Sequence, residues 1–176
     1  MGFLDDLAAL NGVGVARLIG IFGVGTFYGC AASTSLTIIP ALLDKDSEME
    51  NGSRLRYWCR QFDISAVRWT PFAFGAATSF LYVGMKTGDW QDYLCSGLIW
   101  SIFPYTFTCI FPTIKALKDE AQKGDKFDNP LVLSLIKKWN FRHTFRIYLT
   151  GSAFFLTTLR VLATSPLTSK RGIVLP

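Results

Sequence analysis

Histidine is nearly missing from this chain: among 176 residues there is one, His143. The four cysteines, Cys30, Cys59, Cys95 and Cys109, are dispersed, without a C-x-x-C pair or the short even spacing of a disulfide framework. Three of them fall inside apolar segments, where a free thiol behaves as a small hydrophobe. With one histidine, no paired cysteines and no carboxylates clustered in those segments, too few ligands remain for a transition metal or a haem, so no cofactor is expected. A P-loop is absent, and Gly12, Gly14 and Gly20 follow no strand, which excludes a dinucleotide fingerprint. No repeat or low-complexity tract occurs. Asp5 and Asp6 stand where a signal peptide has basic residues, so the first apolar segment is expected to act as an uncleaved anchor. Gly2 lacks the downstream Ser or Thr of a myristoylation signal.

What is plentiful is apolar sequence. Half of the residues are hydrophobic, 18% are charged and the mean hydropathy is +0.29. Charges gather between Asp44 and Arg68 and between Lys115 and Arg146, and the stretches around them approach the roughly 20 residues that a helix needs to cross a bilayer. This distribution predicts an all-α integral membrane four-helix bundle, one domain over 1–176, with spans near 16–40, 67–85, 93–113 and 143–163. Polar loops are expected over 44–66 and 115–140, the second basic and partly helical: helix through Gln122, a break at Gly124 to Pro130, then an amphipathic approach to the last span.

Gly25 and Gly29 stand in G-x-x-x-G relation with Ser33 continuing the row, a face suited to close helix packing in lipid. Pro40 is expected to end or bend the first span, and Pro166 to end the fourth. Lys86 to Asp92 reads as a tight turn that makes spans two and three antiparallel neighbours. The net charge of +5 sits beside apolar segments, which favours anionic lipid head groups over nucleic acid. Lys45, Arg54, Arg56, Arg60, Lys115, Lys118 and further cations crowd one side, against Arg17, Lys86, Lys170 and Arg171 on the other. The long loops are therefore expected on the cytosolic or matrix side of a multi-pass protein of an endomembrane, with the mitochondrial inner membrane as the alternative.

Candidate chemistry centres on Lys138-Trp139-x-x-x-His143-x-x-Arg146. On a helix, residues at i, i+4 and i+7 share one stripe, so an aromatic plate, a titratable base and a fixed cation converge. His143 is the one side chain whose ordinary pKa suits proton transfer near neutrality, and packed beside Arg146 it is expected to stay neutral; the bland reading is a solvated helix end. Trp139 and Trp58 are either stacking plates for a flat ligand or interfacial anchors. Asp63 is either a partner for Arg68 or Arg146, or the N-cap of the second span. Tyr105 offers a phenol inside the bundle.

The layout and its punctuation resemble a family of small membrane proteins related to fungal anthrone oxygenases. The marks are a glycine-bearing first span ending Pro40-Ala41-Leu42-Leu43, Trp58 leading to Pro71, Pro104 with the later Pro112-Thr113, and the Trp139, His143, Arg146 motif, over about Ile19 to Leu162. Ile114 departs from the asparagine common in the family after Pro-Thr. The resemblance implies oxidation of a hydrophobic fused-ring anthrone by molecular oxygen without an added cofactor. His143 would be the base, Arg146 the stabiliser of a developing oxyanion, Trp139 and Trp58 binding plates, and Asp63 or Tyr105 orienting groups. One rival reading is a non-catalytic accessory subunit or packing partner of a larger membrane complex, or of a second copy of the chain; a second is a lipid- or hydrophobic-metabolite-binding protein that keeps the pocket but performs no reaction.

Overall fold

The computed structural model describes residues 12–44 and 49–164, and among these every regular element is helical. Four rods form the bundle: α1, Gly12–Leu43; α2, Asn51–Thr87; α3, Trp90–Gln122; and α4, Asn129–Thr164. A short 3-10 turn, Gly124–Lys126, links α3 to α4. Each rod packs on its sequence neighbours, and α1 closes the ring against α4, so α1 lies diagonally across from α3. Such an up-down-up-down order follows from short connections between consecutive helices. Expectations that concern Asp5, Asp6, Gly2, Lys45, Pro166, Lys170 and Arg171 fall outside the described residues.

The rods run well past the expected spans. Residues 51–66 and most of 115–140, expected as polar loops, are helical. The reason is an apolar stripe that persists beneath the charges: Leu55 and Trp58 of α2, Ile114 and Leu117 of α3, and Val132, Ile136 and Trp139 of α4 recur at three- and four-residue steps and pack into one core with Ile39 and Leu42. A second core lies toward the other end, where Val24 and Phe27 of α1 meet Ala76, Ala77 and Phe80 of α2, Ile99 and Ile102 of α3, and Ala153 of α4. The break between α3 and α4 falls where Gly124, with φ of +63°, and Pro130 were expected to place it. The turn between α2 and α3 is tighter than Lys86 to Asp92: Gly88 takes φ of +71° and Asp89 caps α3 by accepting from the Gln91 N–H at 2.9 Å.

Pro40 does not end α1. The helix widens into a π turn over Thr34–Ile38 and continues to Leu43. A second π turn, Thr106–Ile110, precedes Pro112 in α3 by the same interval. A proline removes one N–H and crowds the carbonyl four residues earlier, and a wider turn relieves that crowding. Of the four rods, α1 and α3 are long and apolar enough to cross a membrane. Phe22, Leu36, Phe107 and Phe111 project outward from these two, as do Val67, Phe141 and Tyr148 from α2 and α4.

The glycine row also differs from expectation. Gly20 abuts the Phe80 ring and Gly23 lies against the Phe72 carbonyl and Ala76, so these two bring α1 onto α2, while Gly25 faces Phe154 of α4. Gly29 faces open space. A methyl group at Gly23 would stand 2.8 Å from the Phe72 oxygen, a backbone atom that cannot swing aside. Gly23→Ala is therefore expected to cost about 1–3 kcal/mol of stability. Gly29→Ala should be neutral or stabilising by up to about 1 kcal/mol. Thermal unfolding of the two purified variants in detergent checks the contrast, and equal shifts would contradict it.

Charge pairs tie the ends. Asp92, only 2% exposed, accepts from Arg17 of α1 at 2.8 Å and from Arg160 of α4 at 2.9 Å, and Arg160 also holds Asp89. Asp92→Asn should lower stability by about 2 kcal/mol, since two partly exposed arginines then share a neutral amide. An unchanged melting temperature would refute this. At the opposite end, the Glu120 carboxylate accepts from Lys123 and from the Asp128 N–H at 3.2 Å, stapling the α3–α4 turn. The Lys123 ammonium first, then the Asp128 N–H, hold its carboxyl below the ordinary 4.5. A depressed carboxylate stabilises the fold fully above the unfolded value and loses that contribution as pH falls through the folded one. Below about pH 4.5 the melting temperature should fall more steeply for the parent protein than for Glu120→Gln; parallel curves would count against the staple.

Candidate functional site

The buried face of α4 is a single stripe: Val132, Ile136, Trp139, His143, Thr150, Ala153 and Thr157 all turn inward at three- and four-residue steps. Arg146 belongs to the same row and lines the interior. Between the two apolar cores the stripe carries His143 and Arg146, and there the packing opens into a cavity of about 170 Å³. All four rods contribute walls: Phe27 and Thr34 from α1, Gln61 and Ser65 from α2, Thr106 and Phe107 from α3, and the Trp139, His143, Arg146 trio from α4. Ala66, Thr70 and Phe107 are lining residues that are also exposed, so the cavity opens sideways between α2 and α3.

His143 is 6% exposed and its ring lies flat on Trp139, 4.6 Å between centroids and 17° between planes. Neither ring nitrogen is hydrogen-bonded to a side chain, and the Ala31 backbone of α1 lies against the ring. Arg146 lays its guanidinium 5.3 Å from the centre of the Phe27 ring, a cation–π contact, and its Nε has no hydrogen-bond partner. No carboxylate lines the cavity among the described residues. Three polar groups answer from α1 and α2: Gln61 Nε2 donates to Thr34 Oγ1 at 3.4 Å and to Ser65 Oγ at 3.2 Å, while the Thr34 hydroxyl donates to the Cys30 carbonyl at 3.0 Å.

The chamber is thus aromatic on its faces, with a base and a cation on one side and a hydroxyl–amide cluster on another. Such a set can bind a flat apolar molecule, remove a proton from it and stabilise negative charge that develops on it. Among the described residues no group of His, Cys, Asp and Glu is arranged to hold a metal ion.

Of the six residues expected at the site, three meet there: Trp139, His143 and Arg146. Asp63 does not. It is 58% exposed in its side chain and pairs with Lys118 of α3 at 2.6 Å, neither capping a helix nor reaching Arg146, because α2 runs straight through it and turns it to the outside. Trp58 is fully buried in the neighbouring apolar core, edge-on to Trp139 at 5.4 Å, so it supports the plate instead of lining the cavity. Tyr105 donates its hydroxyl to the Arg142 carbonyl at 3.2 Å and packs on Phe145, which makes it a strut between α3 and α4 outside the lining.

Gln61 and Ser65 escape notice in the sequence because residues 44–66 read as a polar loop, and Thr34 because it stands within the first apolar span. A signal was present: Trp58, Phe62, Ser65 and Trp69 keep the same three- and four-residue rhythm as the α4 stripe. Arg142, at the entry of the expected fourth span, reaches the Cys109 carbonyl at 2.6 Å and Thr113 Oγ1 at 2.8 Å, holding the π turn before Pro112.

No curated protein and no solved structure matches the chain. The anthrone oxygenase family model does, over residues 58–156, more than half of the chain, a segment that contains Gln61, Ser65, Trp139, His143 and Arg146. With the cavity's base, cation and aromatic plate all inside the matched segment, the chain belongs to the anthrone oxygenase family.

Proposed function

We propose that the protein is a membrane-embedded oxygenase that converts an anthrone-type substrate to the corresponding quinone, with molecular oxygen as co-substrate. The observation that carries this reading is a buried histidine without a side-chain hydrogen-bond partner, stacked on tryptophan and facing a cavity whose one guanidinium has no carboxylate beside it. A histidine serving only to solvate a helix end, or a docking surface, would have no need of enclosure.

The chemistry asks little of the protein. His143 takes a proton from the methylene carbon of the central ring, and the electron pair delocalises to the ring oxygen opposite. Arg146 sits three residues along the same stripe, a Cβ separation of about 5–6 Å, which suits a base at one side of a six-membered ring and a cation at the oxygen across it. The carbanion passes one electron to oxygen, and recombination forms a carbon–oxygen bond as a peroxide. Loss of the remaining hydrogen on that carbon with cleavage of the O–O bond gives the carbonyl and water. One substrate and one O₂ thus yield one quinone and one H₂O. Water exclusion by Phe27, Trp139 and Ile102 keeps the carbanion from simple reprotonation.

Size bears on the binding mode. An apolar cavity of roughly 150 Å³ holds a benzene-sized ring, so 170 Å³ encloses the reacting ring and leaves an outer ring in the mouth by Ala66, Thr70 and Phe107. That mouth faces sideways, toward the lipid if all four rods cross the bilayer, as we propose they do; Val67 and Phe107 are exposed apolar side chains beside it, with Arg68 the exposed cation. Ile114, in place of the family's asparagine, is 2% exposed in the apolar core and does not line the cavity, so its presence removes no polar group from the chamber.

Membranes containing the protein, supplied with a hydroxylated anthrone and oxygen, should form quinone and consume oxygen one to one. His143→Ala should lower turnover by about 10²–10⁴, and Arg146→Gln by about 10²–10³, at unchanged expression. Parent and variant rates both equal to spontaneous oxidation would sink the enzymatic reading.

A further inference from the structure

Resting on the reading above, we infer that Gln61 and Ser65 of α2 form a subsite that recognises a hydroxyl group on an outer ring of the substrate. The hydrogen bonds leave one acceptor and one donor to spare. Thr34 spends its hydroxyl proton on the Cys30 carbonyl, so the amide edge that approaches Thr34 has to donate, which fixes Gln61 Nε2 toward Thr34 and Ser65. Gln61 Oε1 is then an acceptor with no hydrogen-bond partner among the described residues. Ser65 Oγ receives a hydrogen bond from Gln61 and has its own proton to give.

An acceptor and a donor one helical turn apart, in a chamber that is otherwise mostly aromatic and aliphatic, match a hydroxyl, which donates and accepts at once. A carbonyl would leave Gln61 Oε1 without a partner, and an unsubstituted ring would leave both groups so. The cluster lies on α1 and α2, whereas the base and the cation lie on α4, so it meets a different part of the substrate from the one that reacts. Thr34 and Cys30 are positioning groups: they orient the amide and do not complete the subsite. Both precede residue 58, outside the segment that matches the family, so the orientation of Gln61 is set by the part of the chain that the match does not cover.

A site built to hydrogen-bond a hydroxyl discriminates strongly against the analogue that lacks it, because its polar groups are then stranded. The test uses the full chain in detergent and a panel of tricyclic ligands, unsubstituted anthrone and anthraquinone against their outer-ring monohydroxy and dihydroxy forms. Binding is read from quenching of Trp139 and Trp69, both in the cavity wall, and turnover from oxygen uptake. The parent protein should bind at least one hydroxylated member about tenfold more tightly than the unsubstituted ring. In Gln61→Met that ratio should collapse to about one, and in Ser65→Ala it should fall by a smaller factor, with the effect in KM and not in kcat. A parent protein without hydroxyl preference, or a variant that weakens all ligands equally, overturns the subsite. Hydroxyl-dependent binding that needs Gln61, found without any turnover, upholds the subsite and rejects the oxygenase reading, so the two fail separately. Should Gln61→Met not fold, the Ser65→Ala ratio decides, and an unchanged ratio there overturns the proposal.

Discussion

The inward stripe of α4 governs the bundle, and what matters at each level is whether a polar residue on that stripe can satisfy itself. Thr150 and Thr157 are buried yet harmless, since each hydroxyl donates to the carbonyl four residues earlier. Arg160, at the far end, is held by Asp92 and Asp89. His143 and Arg146 have no such resort. A buried polar group without partners costs about 1–3 kcal/mol, and Trp139 Nε1, the His143 ring nitrogens and Arg146 Nε, consecutive on the stripe, are a local violation of the rule that Thr150 and Thr157 beyond them obey. The bundle accommodates that violation by leaving space beside them and packing tightly above and below.

The two apolar cores isolate that space. Trp58 stands edge-on to Trp139 and flat on Phe62, so the plate under His143 is itself braced by a packed aromatic group. Toward the other end, Phe27 and Ile102 belong both to the apolar core and to the cavity wall, so the wall cannot shift without disturbing the core. Close-packed interiors transmit such constraints because their side chains have few alternative positions. The strut from Tyr105 to the Arg142 carbonyl, and the reach of Arg142 to the Cys109 carbonyl, fix α3 against α4 beside the histidine. Trp58 and Tyr105, expected in the sequence as groups that meet a ligand, thus serve with Arg142 to hold the cavity's walls.

The rods, their breaks and the α4 site could be read from the chain because they are written in local terms: apolar segments of bilayer length, Gly124 and Pro130 at a break, and Trp139, His143 and Arg146 at helical spacing. Asp63, Trp58 and Tyr105 were misplaced because their roles depend on rotation about a helix axis and on which neighbour that rotation faces. Counted from the expected polar loop at 44–66, Asp63 falls at a helix start, whereas the continuous α2 carries it outward to Lys118. Gln61 illustrates the opposite error. Between Arg60 and Phe62 it falls inside the expected polar loop, and only the antiparallel packing of α1 brings Thr34 to its amide and turns it into part of a chamber.

Charge is sorted across the whole molecule in a way that bears on the chemistry. Asp92 is neutralised by two arginines, Glu120 by Lys123 and Asp63 by Lys118, each of them at an end or on the outer surface. The cavity keeps a guanidinium on an aromatic ring and no carboxylate among the described residues. In an interior of low dielectric, a fixed cation acts at full strength on charge that appears beside it, and it requires no reorganisation when that charge appears. A neutral ligand gains little from it, whereas an anion formed inside the chamber gains a great deal. The same arrangement that makes Arg146 costly in the empty bundle therefore favours a reaction whose negative charge develops after the substrate has entered, and it disfavours a role in which the cavity merely stores an apolar molecule.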